Sequence, residues 1–281
     1  MENVVLVGVD GSAESREAAG WATAEAAARG WPLLFANACP QPVVADPLVE
    51  AAYLLATGRA AEPMFADLAA AARALGVVAE CRVLRGSASD VLVRLSARAG
   101  LNVVGRRPRA GLPSRLGSVS STLAAHSHCP TAVIPYRPPS VGHRDGAVSR
   151  SMFAGHVVAA VEPGPSASEV LTAAADLAQR HGLVLSALTV DSTGDRDHVP
   201  YPAGHLTRIG RQYPGLECGF HSLSGRPSHE IAQVARHAWM LVVGTRGFSG
   251  LSGIVHASVS QALLQHASSP VLVVPHAASE R

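Results

Sequence analysis

Val103–Pro135 reads VVGRRPRAGLPSRLGSVSSTLAAHSHCPTAVIP, and Val242–Pro275 reads VVGTRGFSGLSGIVHASVSQALLQHASSPVLVVP. Set side by side, Ser118 falls on Ser258, Ser120 on Ser260, Leu123 on Leu263, His126 on His266 and Pro130 on Pro270. Each copy leaves an apolar run, crosses a glycine-bearing loop, enters a segment opened by Ser, and ends in a second apolar run closed by Pro. The match continues upstream, where VVLVGVD at Val4–Asp10 aligns with HVVAAVE at His156–Glu162. A correspondence this long marks duplication of a whole folding unit, not a shared short motif.

Outward from these stretches, strand and helix patterns alternate. Val4–Val9 is a continuous β-branched and apolar run, as expected of a strand buried on both faces. Glu14–Arg29 is an Ala-rich helix closed by Gly30, Leu33–Ala38 a second strand, and Pro40–Ala60 a proline-bearing loop around a short helix. Helix Ala61–Leu75, strand Val77–Leu84, helix Ser89–Ala99, strand Leu101–Gly105, helix Ser118–Ser127 and strand Thr131–Pro135 complete the first unit. The second repeats the order with His156–Val161, Ser168–His181, Leu183–Val190, a shorter segment to Pro214, Leu216–Leu223, Ser228–Ala238, Met240–Gly244, Ser258–Ala267 and Val271–Pro275. Strands joined by helical crossovers predict, in each unit, a five-stranded parallel sheet with helices on both faces. The units are placed at 1–137 and 152–281; the segment 138–151, with Pro138, Pro139, Gly142 and Gly146, has linker composition.

Composition agrees with two domains in 281 residues. Hydrophobic residues make up 48% and charged residues 16%, enough for packed cores and too little charge for disorder. A net charge of +2 and 4% aromatics, with no basic patch interleaved with aromatics, argue against a nucleic-acid partner. All 23 basic residues are Arg. Without Lys, a GxxxxGK[ST] phosphate loop and Schiff-base chemistry are excluded. Cys39, Cys81, Cys129 and Cys218 show no metal-type spacing, so no metal site is predicted. No apolar run reaches the ~18 residues of a membrane helix, and the opening residues lack the basic region of a signal peptide. The expectation is a cytoplasmic protein with no membrane partner.

In an open parallel sheet, ligands bind beyond the carboxyl ends of the strands, where the strand order reverses. The residues there are Asp10, Ala38 and the loop Gly105–Ser118, and in the second unit Glu162, Val190 and the loop Gly244–Ser258. A helix opening on such a loop offers free N–H groups and the positive end of its dipole to an anion. Ser118 and Ser258 are placed to act as helix cap and phosphate donor together.

VGVDGS at Val7–Ser12 and GTRGFSGLSGIVHASVS at Gly244–Ser260 resemble the universal stress protein family, whose nucleotide-binding members carry Gly-x2-Gly-x9-Gly-[Ser/Thr] after the fourth strand. The resemblance covers nearly the whole chain, in tandem. It implies a flavodoxin-like layout in each unit with strand order 3-2-1-4-5, an adenine nucleotide (ATP, with or without Mg2+) as cofactor, and a stress-response or regulatory role without rapid catalysis. By position it assigns Asp10 to the ribose or adenine side, Ala38 to the adenine pocket, Val104 to the adenine by its backbone, and Gly105, Gly117, Ser118 and Val119 to ribose and phosphates. The second-unit counterparts are Glu162, Val190, Val243, Gly244, Gly247, Ala257, Ser258 and Val259. No residue is assigned a catalytic role, so at most slow ATP hydrolysis is expected. The resemblance also implies that the domains pair internally through their fifth strands, and it is compatible with a homodimer.

Both copies depart from the pattern. Pro108 stands at the second Gly position of the first loop, and that loop is one residue short before Gly117. The second loop keeps nine residues between Gly247 and Ala257, but has Ala257 for the third Gly and Glu162-Pro163 for the acid and its neighbour. Loop length favours the second site. The rival reading is a dimerisation or interaction scaffold whose loops have lost the nucleotide.

Overall fold

The two ends of the sequence pattern, apolar β-branched runs and Ala-rich helices, meet as alternating strands and crossover helices in a computed structural model. It describes residues 3–40, 46–106, 117–136, 152–162, 167–191, 203–245, 262–265 and 267–276. These fall into two compact units, one up to Tyr136 and one from Met152. The first contains β1 (Val5–Gly8), α1 (Ala13–Arg29), β2 (Leu33–Cys39), α2 (Pro47–Ala74), β3 (Ala79–Arg85), α3 (Ala88–Ser96), β4 (Leu101–Arg106), α4 (Ser118–His126) and β5 (Thr131–Pro135). The second contains β6 (Val157–Ala160), α5 (Ala167–His181), β7 (Leu185–Asp191), α6 (Ala203–Gln212), β8 (Cys218–Ser224), α7 (Pro227–Ala235), β9 (Met240–Gly244) and β10 (Val271–Val274), with residues 262–265 helical before β10.

Register fixes the topology. Val5 pairs with Leu33 on one side and Leu101 on the other, Leu33 pairs with Ala79, and Asn102 with Thr131, all in parallel. The first sheet therefore runs β3-β2-β1-β4-β5. In the second, Val157 pairs with Leu185 and Met240, Leu185 with Cys218, and Leu241 with Val271, giving β8-β7-β6-β9-β10. Both are the 3-2-1-4-5 order of a flavodoxin-like sheet. The order reverses between β1 and β4, and again between β6 and β9, and that is where a crevice opens at the strand ends.

Helix ends follow local chemistry. Ser12 caps α1 by accepting from Ser15 N (3.2 Å), and Gly30, at φ 65°, ends it in the left-handed conformation that glycine adopts without strain. Gly182 (φ 62°) repeats this device after α5. Helix α1 buries Ala18, Ala19, Ala22 and Ala26, a stripe of small side chains that lets the helix lie close to the sheet.

The segment Pro40–Ala60 departs from its expected loop. Most of its described part is helix, because α2 begins at Pro47 and runs unbroken to Ala74. Asp46 accepts from Leu48 N (2.8 Å) as the cap, and a proline at the first helical position gives up only an N–H that has no intrahelical acceptor anyway. Pro63 lies inside the same helix. The first half of α2 is exposed, with Leu48 at 81% and Leu55 at 65%.

Candidate functional site

The site is built at the carboxyl end of the first sheet. Beyond β1 the chain turns sharply at Asp10-Gly11-Ser12. Asp10 Oδ1 accepts from Ser12 N (3.0 Å) and Ser12 Oγ (2.5 Å), while Gly11 takes φ 79°. The ends of β1 and β2 are tied together as well: Val9 N donates to Ala36 O (3.0 Å), and Asn37 Nδ2 donates to Val9 O (2.8 Å). A rigid lip results, with the Asp10 carboxylate fixed at the entrance.

On the other side of the crevice, Gly105 is the penultimate residue of β4. A Cβ at Gly105 would lie 2.4 Å from the Glu14 carbonyl oxygen. The first glycine of the loop is thus required by helix packing: only hydrogen at this position lets the first turn of α1 approach β4. Arg106 follows, and its burial draws the guanidinium pKa below its ordinary value.

Helix α4 closes the third side. Its N-cap is Gly117, not Ser118 as the sequence suggests, and no side chain caps it. Ser118 is already helical, and the nearby hydroxyls turn away: Ser120 Oγ and Ser121 Oγ donate to Gly117 O at 3.2 and 3.0 Å. The opening amides of α4 are left without a side-chain acceptor from the cap residue, beside the crevice, as an anion site requires.

Together these walls enclose a cavity of about 230 Å³. Asp10, Ala38, Val104, Gly105, Gly117, Ser118 and Val119, the seven first-unit residues singled out from sequence, all line it. Sequence reading missed Gly8, Ala36 and Leu92, which form its inner wall. A Cβ on Gly8 would come within 2.7 Å of Leu92 Cδ1. The available signal was the run of small residues Gly8, Ala36 and Ala38 at the ends of two adjacent strands.

In the second unit, Glu162 follows β6, Val190 lies on β7, and Val243 and Gly244 close β9. Gly247, Ala257, Ser258 and Val259 lie outside the described residues, so the loop whose length favoured this copy is outside them too. The top of the second unit holds a different arrangement. His276 N donates to Thr245 Oγ1 (3.2 Å), and His276 Nδ1 stands 2.9 Å from Glu169 Oε2. Among the described residues, no group of three or more His, Cys, Asp or Glu is placed to hold a metal. No described helix is long and apolar enough to cross a membrane.

Open parallel sheets of order 3-2-1-4-5, with a crevice between the first and fourth strands and an uncapped helix beside it, define a flavodoxin-like class of α/β protein. Within that class the chain belongs to the universal stress protein family, described as such, whose profile matches residues 1–135 and again 154–275. It is 31% identical to Universal stress protein Rv2005c of Mycobacterium tuberculosis over 295 residues, covering 96% of each chain. It is 28% identical to Universal stress protein Rv1996 of the same organism over 313 residues, covering 96% of this chain and 94% of the other. The fold superposes on a universal stress protein from Archaeoglobus fulgidus with a TM-score of 0.77 at 19% identity, covering 99% of this chain and 100% of that one.

Proposed function

We propose that the chain is a stress-response or regulatory protein that binds an adenine nucleotide, ATP foremost, in the first-unit crevice, and does so without rapid turnover. The observation that carries this reading is the 230 Å³ cavity, lined at once by Asp10 and by the opening of the uncapped helix α4. An apolar inner wall suits a base, a fixed carboxylate suits ribose hydroxyls, and free amides at a helix N-terminus suit phosphate. Nothing in that set requires Lys. Phosphoryl transfer needs a positioned metal, base and charge clamp, and among the described residues that line the cavity the charged groups are the carboxylates of Asp10 and Glu14. The protein acts, on this reading, by the state its nucleotide holds, with the partner responding to that state. Within its own unit β5 pairs with β4, and β10 with β9; pairing of the two units through these fifth strands, and a homodimer, belong to the same proposal.

Acid extraction of the purified protein, with mass identification of what is released, tests the reading together with calorimetric titration of ATP. A co-purifying adenine nucleotide, or saturable heat with ATP, is expected. Absence of both up to millimolar ATP overturns it in favour of the scaffold alternative, and turnover in the range of roughly 1–10³ s⁻¹ overturns the non-catalytic part.

A further inference from the structure

The amino end of the first sheet holds a second cavity, of about 320 Å³, which shares no lining residue with the crevice at the carboxyl end. Register places it. Leu6 pairs with Leu34 and Leu34 with Glu80, so the three stand in one row on one face of the sheet, and all three line this cavity. Gly8 and Ala36, two residues further along, share that face and line the upper crevice. Helix α3 serves both: Leu92 lines the upper cavity and Leu95 the lower. Val4, Leu6, Leu34 and Leu95 give the lower one apolar walls. Leu34 lies between two paired strands yet is only half-buried, and Val78, also in the lining, is 77% exposed, so the cavity opens to solvent.

The duplicated unit shows what this face accepts. The two sheets pair alike, so Leu34 corresponds to Ser186 and Arg82 to His221. There the ring of Phe153, from the segment before β6, packs edge-on against His221 and is 5% exposed, and Ser186, beside His221, is 1% exposed. An aromatic ring is thus laid on this face in one copy, where the other has an open apolar cavity. A dry apolar cavity of about 150 Å³ already takes benzene, so the lower cavity has room for a ring with a short side chain.

The charges at the cavity select what that side chain carries. Arg82 donates from Nε and Nη2 to the two carboxylate oxygens of Glu80 at 2.6 and 2.9 Å, and the pair neutralises itself. Arg98, exposed and also in the lining, has no ion pair among the described residues. One positive charge therefore stands beside apolar walls, and a guanidinium matches a carboxylate in shape and in charge. We propose that the lower cavity of the first unit is a second binding site, for a small aromatic carboxylate whose ring lies on Leu34 and Leu95 and whose acid group meets Arg98. The site is separate from the nucleotide crevice and does not depend on the nucleotide reading.

The test uses the full chain, with hydrocinnamate as the probe and its uncharged amide as the control. Titration followed by backbone amide chemical shifts is expected to show saturable binding that moves the signals of Leu34 and Leu95 and is not displaced by ATP. The amide is expected to bind at least about tenfold more weakly than the acid. Arg98→Gln, an exposed change, is expected to weaken the acid by about tenfold and to erase its advantage over the amide. Leu34→Trp fills the cavity from its floor and is expected to abolish binding. No saturable binding up to about 10 mM, displacement by ATP, or an Arg98→Gln chain that binds the acid as the parent does would each overturn the proposal. So would a parent dimer that Leu34→Trp converts to a monomer on gel filtration, since a second copy would then be the occupant. If Leu34→Trp does not fold, the Arg98→Gln comparison decides alone.

Discussion

The two units share a backbone plan and distribute their side-chain volume in opposite ways. In the first, α1 buries Ala18, Ala19, Ala22 and Ala26 with Ser15, Thr23 and Glu25, and the strand ends carry Gly8, Ala36 and Ala38. In the second, α5 buries Val170, Leu171 and Leu177 among its alanines, and the strand ends carry Ala160, Leu188 and Val190. The first unit brings helix and sheet so close that Gly105 has no room for a Cβ beside the Glu14 carbonyl. The crevice in this fold is a consequence of topology, since strand order must reverse somewhere. Whether it is a site is a consequence of volume, and volume is set residue by residue. A duplicated fold can therefore set different side-chain volumes at the same strand ends without any change of strand order.

The largest effect expected from this difference is at Leu188. Leu188→Ala removes a fully buried side chain and costs roughly 2–5 kcal/mol of unfolding free energy by urea denaturation. The reciprocal Ala36→Leu enters a cavity and is expected to cost less than about 1.5 kcal/mol. A Leu188→Ala loss below about 0.5 kcal/mol would mean that the side chain is not core, and the contrast in side-chain volume at the strand ends would lose its meaning for packing.

Much of the comparison was legible in the sequence. The repeat itself, the strand runs and the helix-ending Gly30 announce two copies of one α/β unit, and the first-unit residues that the family resemblance assigns all line one cavity. Two things were not legible. Pro47 looked like a breaker because its role depends on being first in the helix, a position that only the Asp46 cap reveals. The inner wall was missed because Gly8 and Ala36 carry no chemistry; their meaning is the space they leave, and that appears only when β1 and β2 are set in register. Ser118 illustrates the same limit at one-residue scale: a Ser at a helix opening reads as its cap, yet the helix starts one residue earlier than that reading allows, and Gly117 takes the position.

A middle-sized effect concerns buried polar groups. Asn102 and Thr131 are register partners on β4 and β5, 0% and 1% exposed, and neither the Asn102 amide nor the Thr131 hydroxyl has a hydrogen-bond partner. The second unit has Leu241 and Val271 at these places, also register partners. An unsatisfied buried polar group costs about 1–3 kcal/mol, and replacing both members by apolar groups of like shape is neutral or stabilising. Thr131→Val, nearly isosteric, is expected to raise stability by about 1 kcal/mol, read as a higher urea midpoint with unchanged slope. A loss of stability would show that the hydroxyl is satisfied in solution and that the first unit gains from its polar pair.

The smallest effect is a pH dependence confined to the second unit. Ser186 Oγ lies 2.9 Å from His156 Nδ1 and 3.4 Å from His221 Nε2, and Phe153 packs edge-on against His221 with ring centroids 4.9 Å apart. One hydroxyl has one proton, so it donates to one imidazole at most and accepts from the other. Burial, and then the neighbouring His156, hold His221 below the ordinary histidine pKa. The unfolded chain therefore takes up this proton near pH 6.5 while the folded chain takes it up only at lower pH. Between those values the unfolded state binds more protons, so stability rises with pH. The contribution is fully present above about pH 6.5, is lost as pH falls through that value, and stops changing once the folded histidine is protonated as well. The first unit has Leu34 and Arg82 at the places of Ser186 and His221, and neither titrates in this range. Thermal melting from pH 7.5 to 5 should show a parent Tm that falls toward acid and a His221→Gln variant whose fall is shallower. Because other histidines titrate in both proteins, the difference between the two slopes is the measurement. Parallel slopes would place His221 in ordinary solvent contact and remove it as a titrating difference between the second sheet and the first.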